Sequence, residues 1–119
     1  MLKVYQNENG KTLISKEVLN LDGWKELIAG STDAAQEKHV PGVEKKCKTV
    51  KVDVGSVAHP MTEAHHIVWI EIVSGDWTLR KYLHPGEKPA AEFKLCCNKT
   101  EKVLVRAYCN MHGLWQIEV

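Results

Sequence analysis

The 119-residue chain has no apolar run approaching the roughly 18 residues that a membrane-spanning helix requires. Its opening, Met1-Leu2-Lys3-Val4-Tyr5-Gln6, lacks the hydrophobic centre of a secretory signal. Neither charge is in excess: sixteen Lys and Arg against fifteen Asp and Glu leave +1, which argues against nucleic-acid binding driven by charge. There is no internal repeat and no low-complexity tract. The four cysteines, Cys47, Cys96, Cys97 and Cys109, include no C-x-x-C pair. Adjacent cysteines such as Cys96 and Cys97 rarely bridge each other because the ring is strained, and without a secretory signal no disulfide framework is expected. These absences predict a soluble, cytoplasmic chain in which at least three cysteines are plain thiols. Its hydrophobic content of 44% is enough for one packed domain with at most a small appendage.

What is present is mostly strand-like. Val50, Val52 and Val54 alternate with Lys51 and Asp53, a half-buried strand ended by Gly55-Ser56. Ile67 to Val73 is a β-branched run around Trp69, suited to a strand buried on both faces. Gly75-Asp76 signals a turn into the alternating stretch Trp77 to Leu83, and His84-Pro85-Gly86 a further turn. Ala91, Phe93 and Leu95 point one way. After a turn at Asn98-Lys99-Thr100-Glu101, so do Val103, Val105, Ala107 and Cys109, before Leu114 to Val119 closes the chain. Short strands at about ten-residue spacing predict an all-β fold, an antiparallel sandwich or barrel. The start of the chain differs. Asn7-Glu8-Asn9-Gly10 predicts a small hairpin, Trp24, Leu27 and Ile28 have helix-like spacing over a short stretch, and Ser31 to Ala35 reads as a linker or turn.

Five of the six histidines in so short a chain gather in three segments, one of which also carries a cysteine. These are Glu37-Lys38-His39-Val40-Pro41-Gly42, His59-Pro60-Met61-Thr62-Glu63-Ala64-His65-His66, and Cys109-Asn110-Met111-His112-Gly113-Leu114-Trp115. Each adjoins a predicted strand end, so a rigid sheet can bring them to one rim and hold ligands at fixed distances. Cys109 and His112 are spaced so that one tight turn aims both at a single ion, while backbone N–H groups of that turn point at the sulfur. The alternative is a buried thiol beside a turn histidine. One soft thiolate and up to four neutral imidazoles suit iron or copper better than a closed zinc site. A blue-copper site is poorly supplied, because the position five beyond His112 is Ile117 and Met111 lies inside the turn. Five protein ligands leave an octahedral iron one open position, and a thiolate opposite it pushes electron density onto whatever binds there. With four neutral imidazoles, one thiolate and Lys38 nearby, a ferrous site is net positive and attracts a small anion.

Taken in this order, the three segments, with Val54-Gly55-Ser56-Val57-Ala58 ahead of His59 and Ile67-Val68-Trp69-Ile70-Glu71 after His65, resemble the iron-site motifs of the superoxide reductase family, which includes desulfoferrodoxins and neelaredoxins. The resemblance runs from about Asp33 through Trp115. It implies an immunoglobulin-like β-sandwich with a square-pyramidal iron (Fe²⁺/Fe³⁺). His39, His59, His65 and His112 would be the equatorial ligands and Cys109 the axial one. The implied reaction is one-electron reduction of superoxide to hydrogen peroxide, with Glu37 ligating only the resting ferric ion and Lys38 drawing superoxide in and organising proton-delivering water. It further implies rubredoxin or a similar small protein as electron donor and a homo-oligomer, dimer or tetramer. Two-iron relatives carry an N-terminal rubredoxin-like centre. Here Gln6, Asn9, Leu21 and Asp22 stand where its four cysteines would be. The expected organisation is therefore a degenerate, metal-free N-terminal module over residues 1–33 and an iron domain over residues 34–119. His66 is expected to be a pocket-side or strand-facing histidine rather than a ligand, and His84 a surface residue. A cupredoxin-like electron carrier using Cys109, His112 and His65 or His66 is the alternative from another class, and a metal-free partner-binding sandwich a third.

Overall fold

The computed structural model describes residues 2–31, 36–46, 48–95 and 102–119, with residues 36 and 37 described by their backbone alone. Cys47, Cys96, Cys97, the turn expected at Asn98 to Glu101 and the linker residues 32–35 lie outside the described residues.

Among the described residues seven strands form two antiparallel sheets; the alternation predicts six of them, and the strand over 41–46 is the addition. One holds β4 (Pro41–Lys46), β5 (Thr49–Val54) and β8 (Ala90–Lys94) in the order β4-β5-β8. The other holds β6 (Ile67–Ser74), β7 (Trp77–Tyr82), β9 (Leu104–Cys109) and β10 (Gly113–Glu118) in the order β10-β9-β6-β7. Between them lies one apolar core: Val50, Val52 and Val54 of β5 and Ala91 and Phe93 of β8 meet Ile67, Ile70 and Ile72 of β6 and Val105, Ala107 and Cys109 of β9. This is the two-layer layout of an immunoglobulin-like sandwich. The β6–β7 hairpin turns at Gly75, whose φ of 57° is the left-handed conformation that the first position of a two-residue loop needs.

β6 is buried on both faces, and a register shift explains how. Ile67 pairs with Cys109 but Trp69 pairs with Tyr108, a bulge that puts Ile67, Ile70 and Ile72 inward and Trp69 and Glu71 outward. The outward Glu71 is fully buried and takes ion pairs from both neighbouring strands, Arg106 of β9 and Arg80 of β7 at 2.8 Å. The Arg80 guanidinium also lies 3.9 Å over the Trp69 ring.

Covering that outer face is a third sheet built from the first residues: β1 (Lys3–Asn7), β2 (Thr12–Ser15) and β3 (Trp24–Glu26), ordered β2-β1-β3. The predicted hairpin is there, closed by Asn7, whose side chain accepts from the backbone N–H of Asn9 and Lys11 at 3.0 and 2.9 Å. The helix-like spacing of Trp24, Leu27 and Ile28 does not form a helix. Trp24 to Glu26 pair with β1, and Leu27 turns in against the sandwich while Ile28 stays exposed. Tertiary pairing overrides so short a periodicity. Val4 packs with Trp69, Tyr108 and Leu114, and Gln6 donates to the Tyr108 hydroxyl at 2.6 Å. The backbone N–H of Gly30 reaches the Leu114 carbonyl at 2.8 Å. Among the described residues no helix is long and apolar enough to cross a membrane.

Candidate metal centre

Antiparallel pairing puts five chain ends at one rim of the sandwich. Pro41 at the start of β4 pairs with Val54 at the end of β5, Ile67 at the start of β6 with Cys109 at the end of β9, and Cys109 with Gly113 at the start of β10. A single helical turn, α1 (Gln36–His39), precedes β4 and delivers His39; the β5–β6 loop delivers His59 and His65; the β9–β10 turn delivers His112. That turn leaves three residues between Cys109 and Gly113, and Gly113 closes it with φ 77°, a conformation that favours glycine.

The four imidazoles stand at the corners of a near-square. Neighbouring ring centroids are 4.7 Å (His39–His59), 4.7 Å (His59–His65), 4.9 Å (His65–His112) and 4.9 Å (His112–His39), each pair set edge to face at 77–87°. The His39–His65 diagonal is 6.3 Å, which leaves room at the centre for one cation at metal–nitrogen bonds of about 2.1 Å. Donor atoms of His39, His59, His65 and Cys109 all lie within 4.8 Å of one another, and His112 Nδ1 lies 3.0 Å from His39 Nε2.

The ring chemistry fits a cation. His59 Nδ1 donates to the Pro60 carbonyl at 2.7 Å, so its Nε2 carries the lone pair. That Nε2 and His65 Nε2 are buried with no hydrogen-bond partner, which a protein tolerates where an ion takes the place of the donor. Burial first, then the neighbouring imidazoles, push His59 down to about 4, against the Pro60 carbonyl that favours its charged form. His65 is pushed down by the same burial, then by His112 and His39, with the Lys38 charge among the further causes. Both rings are therefore held neutral, the form that ligates. Cys109 is fully buried, and burial pushes its thiol up, opposed by the backbone N–H groups of His112 and Met111 aimed at the sulfur. In that environment a cation is what converts the thiol to a thiolate. One soft donor and four imidazoles suit iron or copper.

With this arrangement in view, the comparisons with known proteins are decisive. Residues 31–118 match the family described as Desulfoferrodoxin. The chain belongs to the desulfoferrodoxin family. It is 53% identical over 94 residues to the desulfoferrodoxin of Nitratidesulfovibrio vulgaris, covering 79% of this chain and 72% of that one. With the desulfoferrodoxin of Desulfarculus baarsii it shares 42% identity over 127 residues, covering 98% and 96%. Its fold superposes on the crystal structure of the superoxide reductase of Treponema pallidum with a TM-score of 0.78 at 29% identity, covering 96% of this chain and 98% of that one.

In this desulfoferrodoxin-family chain, the residues singled out from the sequence separate cleanly. His39, His59, His65, His112 and Cys109 converge. Lys38 is exposed at the rim, and the side chain of Glu37 lies outside the described residues. His66 stands at the start of β6, outside the cluster of close donor atoms, and His84 is on the surface. Among the described residues copper finds no thioether at the cluster: Met111 is exposed, and the Met61 sulfur accepts from the Ile67 backbone N–H at 3.4 Å. Sequence reasoning assigned nothing to Trp115. Its ring stacks on His39 at 4.9 Å and 26°, and its Nε1 donates to the His112 carbonyl at 3.0 Å, so one side chain steadies ligands from two segments. A buried indole needs a partner for its N–H, but nothing in the linear pattern says which.

Proposed function

We propose that the chain is a superoxide reductase, performing one-electron reduction of superoxide to hydrogen peroxide at one mononuclear iron. The observation that carries this reading is the square of four imidazoles beside a buried cysteine, with His59 Nε2 and His65 Nε2 buried and without a hydrogen-bond partner. His39, His59, His65, His112 and Cys109 would hold the ion, and Glu37 would join them in the ferric resting state. Iron held there would supply the one-electron chemistry.

The chain's own residues do the rest. His39, His59 and Cys109 are buried while His65 and His112 are partly open, so the substrate enters on the side of the latter two. Lys38 is exposed and close enough to His65 to influence its charge, placing a cation beside that entrance. A positive rim raises the encounter rate of a small anion, and the ammonium organises the water that delivers protons. The two backbone N–H groups on the Cys109 sulfur temper its donation and tune the potential of the ion. The N-terminal residues 1–33 would be a module retained without metal, and residues 34–119 the iron domain. Rubredoxin or a similar small donor would return the electron to a cytoplasmic homo-oligomer.

The test is metal analysis with visible spectra of the oxidised and ascorbate-reduced protein. About one iron per chain, a blue oxidised form, a colourless reduced form, and superoxide consumption without oxygen release are expected. Stoichiometric copper, or oxygen evolution, would overturn the reading. Lys38→Ile should leave iron bound, slow superoxide capture about tenfold at low ionic strength, and flatten the salt dependence; stopped-flow or pulse-radiolysis kinetics would check this.

A further inference from the structure

The β5–β6 loop brings two of the four imidazoles to the rim, yet residues 55–66 contain no regular strand or helix. His65 is also more open than His39 or His59. Within the loop, Thr62 restrains the His65 backbone, accepting from its N–H through Oγ1 at 3.1 Å and donating its own backbone N–H to the His65 carbonyl at 2.9 Å. That turn shapes residues 62–65 but ties them to nothing else at the centre.

The tie comes from Asn110, which follows Cys109 in the β9–β10 turn. Its Oδ1 accepts the His66 backbone N–H at 2.9 Å, its Nδ2 donates to the Ala64 carbonyl at 3.1 Å, and its backbone N–H donates to the His66 carbonyl at 3.2 Å. The three bonds grip the residues on either side of His65 and fasten them to the residue beside Cys109. An amide is the chemistry this needs: one acceptor and one donor at the end of a short stem. A carboxylate lacks the donor, and a hydroxyl stem is too short to hold both partners.

We infer that Asn110 is a positioning residue that sets the affinity of the centre for its ion by fixing His65 relative to Cys109. The inference rests on the ligand set proposed above. Groups that orient a metal ligand typically change affinity 10- to 100-fold when removed.

The test is Co²⁺ titration of the metal-free full chain, read by the thiolate-to-cobalt charge-transfer absorption, for four proteins: wild type, Asn110→Ala, His65→Ala and the double variant. Asn110→Ala is expected to weaken Co²⁺ binding about 10- to 100-fold in the wild-type background. In the His65→Ala background it is expected to change affinity less than about threefold, because the ligand it positions is gone. Equal losses in both backgrounds would show that Asn110 acts on the fold at large, and unchanged affinity in the wild-type background would show that it positions nothing; either result overturns the inference. If Asn110→Ala does not fold, Asn110→Ser keeps a turn-forming residue and must show the same dependence on His65. A wild type that takes up no Co²⁺ would remove the ligand reading and the inference together. A wild type that binds, with Asn110→Ala binding equally, would remove the inference alone.

Discussion

The rim of the sandwich and the N-terminal sheet are both small assemblies on the same β-sandwich, and they are stabilised in opposite ways. The rim hangs on strands whose cores close on themselves: β5 alternates exposed and buried residues, β6 and β9 are buried almost throughout, and Val103, Val105, Ala107 and Cys109 admit no solvent. The N-terminal sheet has almost no interior of its own. β2 and β3 have no fully buried residue, and β1 buries only Val4 and Tyr5. What holds it is the face it covers, through Val4, Leu27 and Ala29 on Trp69, Tyr108 and Leu114. A three-stranded sheet of this size needs a partner surface to persist. A metal centre demands positions rigid enough to keep five donors in register. The converging His and Cys side chains lie at or next to the ends of those strands, where the sheets fix their positions.

Substitutions should separate the two regions. The largest effect is expected from Cys109→Ser, which should abolish the thiolate charge-transfer absorption and superoxide reduction while leaving the N-terminal sheet docked; visible spectroscopy and hydrogen exchange over residues 2–31 would check both halves. Next, Glu71→Gln removes the charge that pairs with buried Arg106 and with Arg80, under the surface the N-terminal sheet covers. Breaking a buried pair from one side costs about 3–5 kcal/mol, so the whole chain should unfold at lower denaturant with both regions lost together. Val4→Ala should act on one region only. Losing two methyl groups from a fully buried site costs about 2 kcal/mol, seen as faster exchange in residues 2–31 with an unchanged visible spectrum. Smallest is Gln6→Ala, which gives up the bond to Tyr108 for about 1 kcal/mol in a denaturation curve. A change in iron content or colour from either N-terminal substitution would show that the regions are coupled.

Much of this was legible in the residue pattern because period-two alternation reports burial directly. Val50, Val52 and Val54, and Val103 through Cys109, read as inward faces and are so. β4 escaped notice: it begins with Pro41-Gly42 and alternates only weakly, as an edge strand that gets its regularity from pairing with β5. β3 was misleading for the opposite reason, since three residues cannot distinguish a helical from an extended period until β1 claims them. At the centre, residue types and spacing gathered His and Cys into three segments, and the family resemblance of those segments nominated His39, His59, His65, His112 and Cys109. Trp115 and Asn110 left no such trace, because their roles are contacts with residues far along the chain.

The sequence by itself determined the donor chemistry: one cysteine in a tight turn with one histidine, three further histidines beside strand ends, and a lysine next to one of them. It also determined the strand faces, since alternation survives whatever the sheet order. Only the tertiary structure decided that the donors form a near-square with a 6.3 Å diagonal. The same holds for the unpartnered nitrogens of His59 and His65 and for the use of the first residues to cover Trp69 and Tyr108. Those outcomes depend on strand order, on the bulge in β6, and on which buried groups find partners across it, none of which a linear pattern of residue types encodes.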